Sequence, residues 1–93
     1  MKKATIDMDA TATIRRSPEA KPGTLATYTA LRELATESGS CDFNTKTKEV
    51  SNRALLSESG TSTALTFLER RRLIDRYRVP GGIRIRLLKI ARS

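Results

Sequence analysis

The residues best suited to chemistry in this chain are arginines. Arg76, Arg78, Arg84 and Arg86 recur at two-residue spacing on either side of Pro80-Gly81-Gly82, and Arg70-Arg71-Arg72 stand just before them. Residues 70–93 hold nine Lys and Arg against the single acid Asp75, whereas residues 1–69 hold nine basic and nine acidic residues. The formal charge of +8 therefore belongs entirely to the last quarter of the chain. A field concentrated in this way attracts a polyanion, either nucleic acid or an anionic membrane surface. A guanidinium adds shape to charge, because its planar fork of donors matches a phosphate.

Catalysis finds little support. The chain has no histidine, and Cys41 is its one cysteine, which removes His-based triads and most transition-metal sites. No pair of carboxylates lies at a spacing that converges in a pocket, and Gly81-Gly82 is a turn signal rather than a phosphate cradle. The expectation is a protein that is not an enzyme and holds no cofactor and no metal. No small-molecule ligand is expected, since so short a chain has no separate ligand domain. A single cysteine makes no internal disulfide, which fits a reducing, cytoplasmic setting, with Cys41 itself a small buried or half-buried filler. No apolar run is long enough to span a membrane, and no apolar stretch follows Met1-Lys2-Lys3-Ala4 as in a secretory signal. The Ile and Leu that alternate with the arginines are needed for the core, so the membrane surface is not the expected partner.

The elements that must position these arginines follow from periodicity. Ninety-three residues, 38% hydrophobic and 30% charged, supply one core. Residues 1–22 are expected to be a flexible arm, ending in a stretch rich in proline and glycine. Within it, residues 11–15 offer a short edge strand, and Arg15-Arg16 offer a reach toward phosphate. Residues 23–93 are expected to form the folded domain. Thr24 suits an N-cap, and Leu25, Tyr28, Leu31, Leu34 and Ala35 make one helical stripe that stops at Ser38-Gly39-Ser40. Cys41-Asp42-Phe43 fits a very short strand with Phe43 as anchor.

A second helix is predicted from Thr45 or Thr47 to Ala54. A third follows, capped by Ser57 or starting at Ser62, with Thr61, Ala64, Leu65 and Leu68 on its inner side. The period then changes from helix to strand. Residues 74–79 and 83–88 alternate around Pro80-Gly81-Gly82 and predict a β-hairpin. At two-residue spacing on paired strands, Arg76, Arg78, Arg84 and Arg86 are expected to cluster at one surface.

The run Glu49-Val50-Ser51-Asn52-Arg53-Ala54-Leu55-Leu56-Ser57, with Ala64-Leu65, Leu68-Glu69 and Leu73-Ile74, resembles the winged helix-turn-helix DNA-binding family. The resemblance covers about residues 24–90. Leu55 and Arg72 depart from it, standing where the pattern usually has glycine. It implies an α+β, mainly α, fold of three helices plus a C-terminal two-stranded β-hairpin wing. It also implies that the third helix lies in the DNA major groove while the wing touches the backbone or minor groove. The residues agree with this, because Ser57, Ser59, Ser62, Thr63 and Thr66 supply small hydroxyls and Gly60 permits close approach. Short hydroxyls read bases modestly, with help from water and DNA shape. The phosphate-facing candidates are Arg70, Arg76, Arg78, Arg84 and Arg86, with Lys46 and Lys48 flanking.

The function expected is a sequence-specific double-stranded DNA-binding protein, a small transcriptional regulator of repressor type, working as a homodimer on a palindrome. The alternatives are an RNA- or ribonucleoprotein-binding winged helix, or an accessory factor for replication, recombination or plasmid maintenance. Tyr28, Phe43, Phe67 and Tyr77 are the whole aromatic set. So few rings, mostly assigned to the core, argue against stacking on single strands.

Overall fold

A computed structural model of the chain describes residues 14 and 22–88. Helix α1 (Pro22–Ser38) starts two residues before the expected cap Thr24, because a first helical turn needs no N–H from proline. Thr24 is buried in that turn instead. Tyr28, Leu31 and Ala35 are buried as predicted, Leu25 and Leu34 partly so, and Thr27 and Ala30 widen the inner face. Gly39, at φ 75°, ends the helix in the left-handed region and donates its N–H to the Ala35 carbonyl.

Strand β1 (Asp42–Thr45) begins one residue later and runs two residues further than predicted. Phe43 is buried in the core, but Cys41 is exposed and fills nothing. The reason is positional: Cys41 lies in the bend before the strand, where its carbonyl accepts a hydrogen bond from Leu87. Helix α2 (Thr47–Ala54) buries Val50, Ser51 and Ala54. In helix α3 (Glu58–Arg70), Ser57 Oγ accepts the Gly60 N–H at 3.0 Å, so the helix starts at this cap and not at Ser62. Thr61, Ala64, Leu65 and Leu68 form its buried side, as predicted.

Leu55 and Arg72, the two departures from the winged-helix pattern, both have φ 59°. The left-handed turns that glycine usually occupies are thus retained with side chains in place. After Leu55, the Leu56 N–H reaches back to the Ser51 carbonyl, and after Arg72 the Leu73 N–H reaches the Leu68 carbonyl.

Strands β2 (Ile74–Val79) and β3 (Gly82–Leu87) form the predicted hairpin, and β1 adds to the free edge of β3. The antiparallel sheet is therefore three-stranded, in the order β1-β3-β2, rather than a two-stranded wing. Val79 pairs with Gly82, so the turn contains Pro80 and Gly81 alone. Proline followed by a glycine at φ 83° is the combination a type II turn takes. Gly82 belongs to the strand, and a Cβ there would lie 2.4 Å from the Thr45 carbonyl oxygen.

This register divides the four wing arginines. Arg76 lies opposite Ile85 and Arg78 opposite Ile83, whereas Arg84 lies opposite Tyr77 and Arg86 opposite Asp75. Directly opposed residues share a face. Arg76 and Arg78 therefore share one face with Ile83 and Ile85, and Arg84 and Arg86 share the other. The expected single cluster does not form, because a shift of one residue in the turn exchanges the faces of an entire strand.

The core lies where helices α1, α2 and α3 meet the first of these faces. Tyr28, Leu31, Val50, Leu65, Leu68, Leu73, Ile74 and Ile85 are its most buried members. Ile14, inside the segment considered for an edge strand, is helical and also buried in this core. The rest of the expected arm before Pro22, including Arg15 and Arg16, lies outside the described residues. No helix of the described residues is long and apolar enough to cross a membrane.

Candidate nucleic-acid interface

Burying Leu65 and Leu68 turns the opposite side of α3 to solvent. Between that side and the wing runs a cleft of about 820 Å³. Helix α3 contributes Glu58, Ser62, Thr66 and Glu69 to it, the start of α2 contributes Lys46 and Lys48, and β2 contributes Arg76 and Arg78. The register that separates Arg76 and Arg78 from Arg84 and Arg86 is what brings them to this cleft.

The cations differ in what they already hold. Arg76 Nη2 lies 3.1 Å from Glu69 Oε1 and 3.3 Å from Thr66 Oγ1. Arg84 and Arg86, on the far face, are both bound to Asp42, at 2.7 and 3.3 Å. Those hydrogen bonds, Arg84's foremost, hold the Asp42 carboxyl below its ordinary range, and Asp42 in turn raises the Arg84 guanidinium. Arg78, Lys46 and Lys48 have no ion-pair partner among the described residues, and all three are exposed. Three uncommitted cations and three hydroxyls, those of Thr47, Ser62 and Thr66, thus line one cleft.

The remaining candidates lie elsewhere on α3. Ser57, Ser59, Gly60 and Thr63 border a separate depression of about 380 Å³ beside the start of α1, together with Gly23 and Phe67. Ser57 Oγ is engaged as the cap, and Thr63 Oγ1 donates to the Ser59 carbonyl at 3.1 Å. Arg70 borders a third depression with Thr66, Arg72 and Asp75. Arg71 lies over the Phe67 ring, 5.2 Å from its centroid.

Sequence reasoning missed Glu58 and Glu69 as members of the cleft. The signal was present, since Glu58 is four residues before Ser62 and Glu69 three after Thr66, spacings that share a helix side. A further ion cluster stands apart from the cleft. Arg53 of α2 binds Glu37 of α1 at 2.6 Å and Glu49 at 2.9 Å, tying the two helices together. Hydrogen bonds from Arg53 hold the Glu37 carboxyl below its ordinary range. Among the described residues, no three of His, Cys, Asp and Glu converge where a metal ion could bind.

No protein-family model and no curated protein matches the chain. Among solved structures it is similar to a MarR family protein from Bacillus stearothermophilus, at 26% identity and a TM-score of 0.51. The alignment covers 88% of this chain and 52% of that one, so this chain spans about half the length of the structure it matches. Helix order, the helix-turn-helix of α2 and α3, and the antiparallel wing define a winged helix-turn-helix protein. This is the fold class of many transcription regulators.

Proposed function

We propose that this protein is a sequence-specific double-stranded DNA-binding protein, a small transcriptional regulator of repressor type. The observation that carries the reading is the cleft in which unpaired Lys46, Lys48 and Arg78 face Ser62 and Thr66 of α3. An α-helix fits the major groove, and cations on either side of it meet the phosphates that border that groove. Ser62 and Thr66 then read base edges, while Ser59, Thr63 and Arg70 extend the contact along the exposed side of α3. Hydroxyls of this length leave part of the selectivity to water and DNA shape.

Arg84 and Arg86 have no part in this contact, because they face away and are bound to Asp42. One module makes few base contacts, so two copies on a palindromic operator are the working form. Occupying the operator blocks the promoter, without a catalytic step, in the cytoplasm and on the nucleoid.

The test is fluorescence anisotropy on duplex DNA, duplex RNA and single strands across a salt series. Duplex DNA is expected to bind with a steep salt dependence. Arg78→Ala, Lys46→Ala and Lys48→Ala should each flatten the log–log slope by about 0.9. Arg84→Ala/Arg86→Ala should leave it unchanged. Tighter binding to RNA would replace this reading with the ribonucleoprotein one, and no binding at low salt would remove both.

A further inference from the structure

Arg76 lines the cleft, yet its guanidinium is turned onto the protein. It donates to Glu69 Oε1 and Thr66 Oγ1, and its side chain is 25% exposed. Among the described residues, every side-chain hydrogen bond between α3 and the sheet is one of these two. The remaining contact between helix and wing is apolar, through residues such as Leu65, Leu68, Ile74 and Ile85. Apolar packing presses the two together but is non-directional, so it does not by itself set an angle. A charge-assisted hydrogen bond does, because it fixes both distance and direction.

Its place in the strand gives the tie its effect. Arg76 is the third of six residues in β2, and Arg78 lies two residues nearer the tip on the same face. A tie halfway along the strand fixes how far the tip, and with it Arg78, stands from Ser62 and Thr66. We infer that Arg76 is a positioning residue: with Glu69 and Thr66 it forms a latch that sets the cleft width, and it makes no phosphate contact of its own. This rests on the DNA-binding reading of the cleft. It also assigns Glu69 a use, since a lone carboxylate in that cleft would repel phosphate, whereas one neutralised by Arg76 does not.

Two measurements on the full chain decide it. The first is amide hydrogen exchange over residues 74–83 without DNA, for Glu69→Ala, Arg76→Met and the double variant. Methionine keeps the apolar stem of Arg76, and circular dichroism confirms that each variant is folded. A latch predicts that each single change accelerates exchange and that the double accelerates it no further. Arg76→Lys, which keeps the charge but not the fork, should fall between wild type and Arg76→Met.

The second measurement is duplex DNA binding across salt. Arg76→Met is expected to weaken binding about tenfold with the salt slope at its wild-type value, whereas Arg78→Ala flattens the slope by about 0.9. A slope flattened equally by Arg76→Met would make Arg76 a phosphate contact and overturn the inference, as would additive or absent changes in exchange. Should the wild type bind no duplex, the DNA reading fails, and exchange alone decides the latch.

Discussion

Asp42 of β1 accepts two hydrogen bonds from Arg84 of β3, at 2.7 and 3.0 Å, on the sheet face turned away from α3. Arg86 adds a third at 3.3 Å, and Asp75 lies opposite Arg86 on the other side. Two arginines and two carboxylates balance on this face. Cross-strand pairs of this kind stabilise a sheet, and here they leave the unpaired Arg78 to the opposite face.

The Asp42 pair makes stability depend on pH. Its folded carboxyl titrates below the ordinary value of 3.8, chiefly through the hydrogen bond from Arg84. A depressed carboxyl contributes fully above its ordinary value, and the contribution disappears as pH falls through the lower folded value. Glu37, held below 4.5 by Arg53, acts in the same direction. The urea midpoint should therefore change little between neutral pH and about pH 5 and fall below about pH 4. Asp42→Asn should lower the midpoint at neutral pH and make the acid fall shallower. An acid fall as steep as that of wild type in Asp42→Asn would show that the pair contributes nothing. The face is solvated, so added salt should shrink the effect.

Leu55 combines a left-handed backbone at φ 59° with a residue exposure of 89%. The conformation costs a non-glycine residue about 1 kcal/mol or more, and glycine's greater freedom in the unfolded chain returns part of that. Leu55→Gly should raise stability by about 0.5 kcal/mol, and Arg72→Gly, at the same φ, by a similar amount. Chemical denaturation of the two single variants checks both, and a loss at either site would contradict the strain argument.

The hydroxyls of Thr27 and Thr61 are buried with no hydrogen-bond partner among the described residues. A buried unpaired hydroxyl costs about 1–3 kcal/mol relative to hydration. Thr61→Val keeps the shape and removes the oxygen, so the unfolding midpoint should rise, by about 1 kcal/mol in free energy. Thr61→Ala, which leaves a gap beside Leu65, should instead destabilise. If both variants destabilise alike, the hydroxyl has an unrecognised partner.

Gly82 is fixed by approach rather than by backbone angle. A Cβ would stand 2.4 Å from the Thr45 carbonyl, at the end of the β1–β3 pairing. Gly82→Ala must push these strands apart and should cost about 2 kcal/mol. Amide exchange should quicken first at residues 43–45 and 83–85. Gly81→Ala places a side chain at φ 83° in open space, so its cost is backbone strain at the wing tip with β1 left paired.

Much of the fold was legible along the chain because it depends on local spacing. The inner side of α3 follows from Thr61, Ala64, Leu65 and Leu68 at helical intervals, whereas the choice between a start at Ser57 and one at Ser62 is made by the bond from the Gly60 N–H to Ser57 Oγ. The second helix and both wing strands follow from their own patterns. The start of α1 is not legible, because threonine is a good cap and nothing local tells Pro22 in a first helical turn from proline in a loop. The exposure of Cys41 is not legible either, because burial at a strand entrance depends on what packs beside it.

The site was legible by residue type and not by arrangement. Composition and charge determined that the basic excess lies in the C-terminal quarter, and helical spacing determined which hydroxyls leave the core. Alternation within each strand also determined that Arg76 goes with Arg78, and Arg84 with Arg86. Whether the two pairs meet was decided by the turn. A three-residue turn over Pro80-Gly81-Gly82 would align the pairs on one face, whereas the two-residue turn that pairs Val79 with Gly82 sets them on opposite faces. Tertiary packing makes that choice, because Ile83 and Ile85 must face the helices and Gly82 alone fits beneath the Thr45 carbonyl. A side-chain period of two tells which residues travel together, and only the partner strand tells where they arrive.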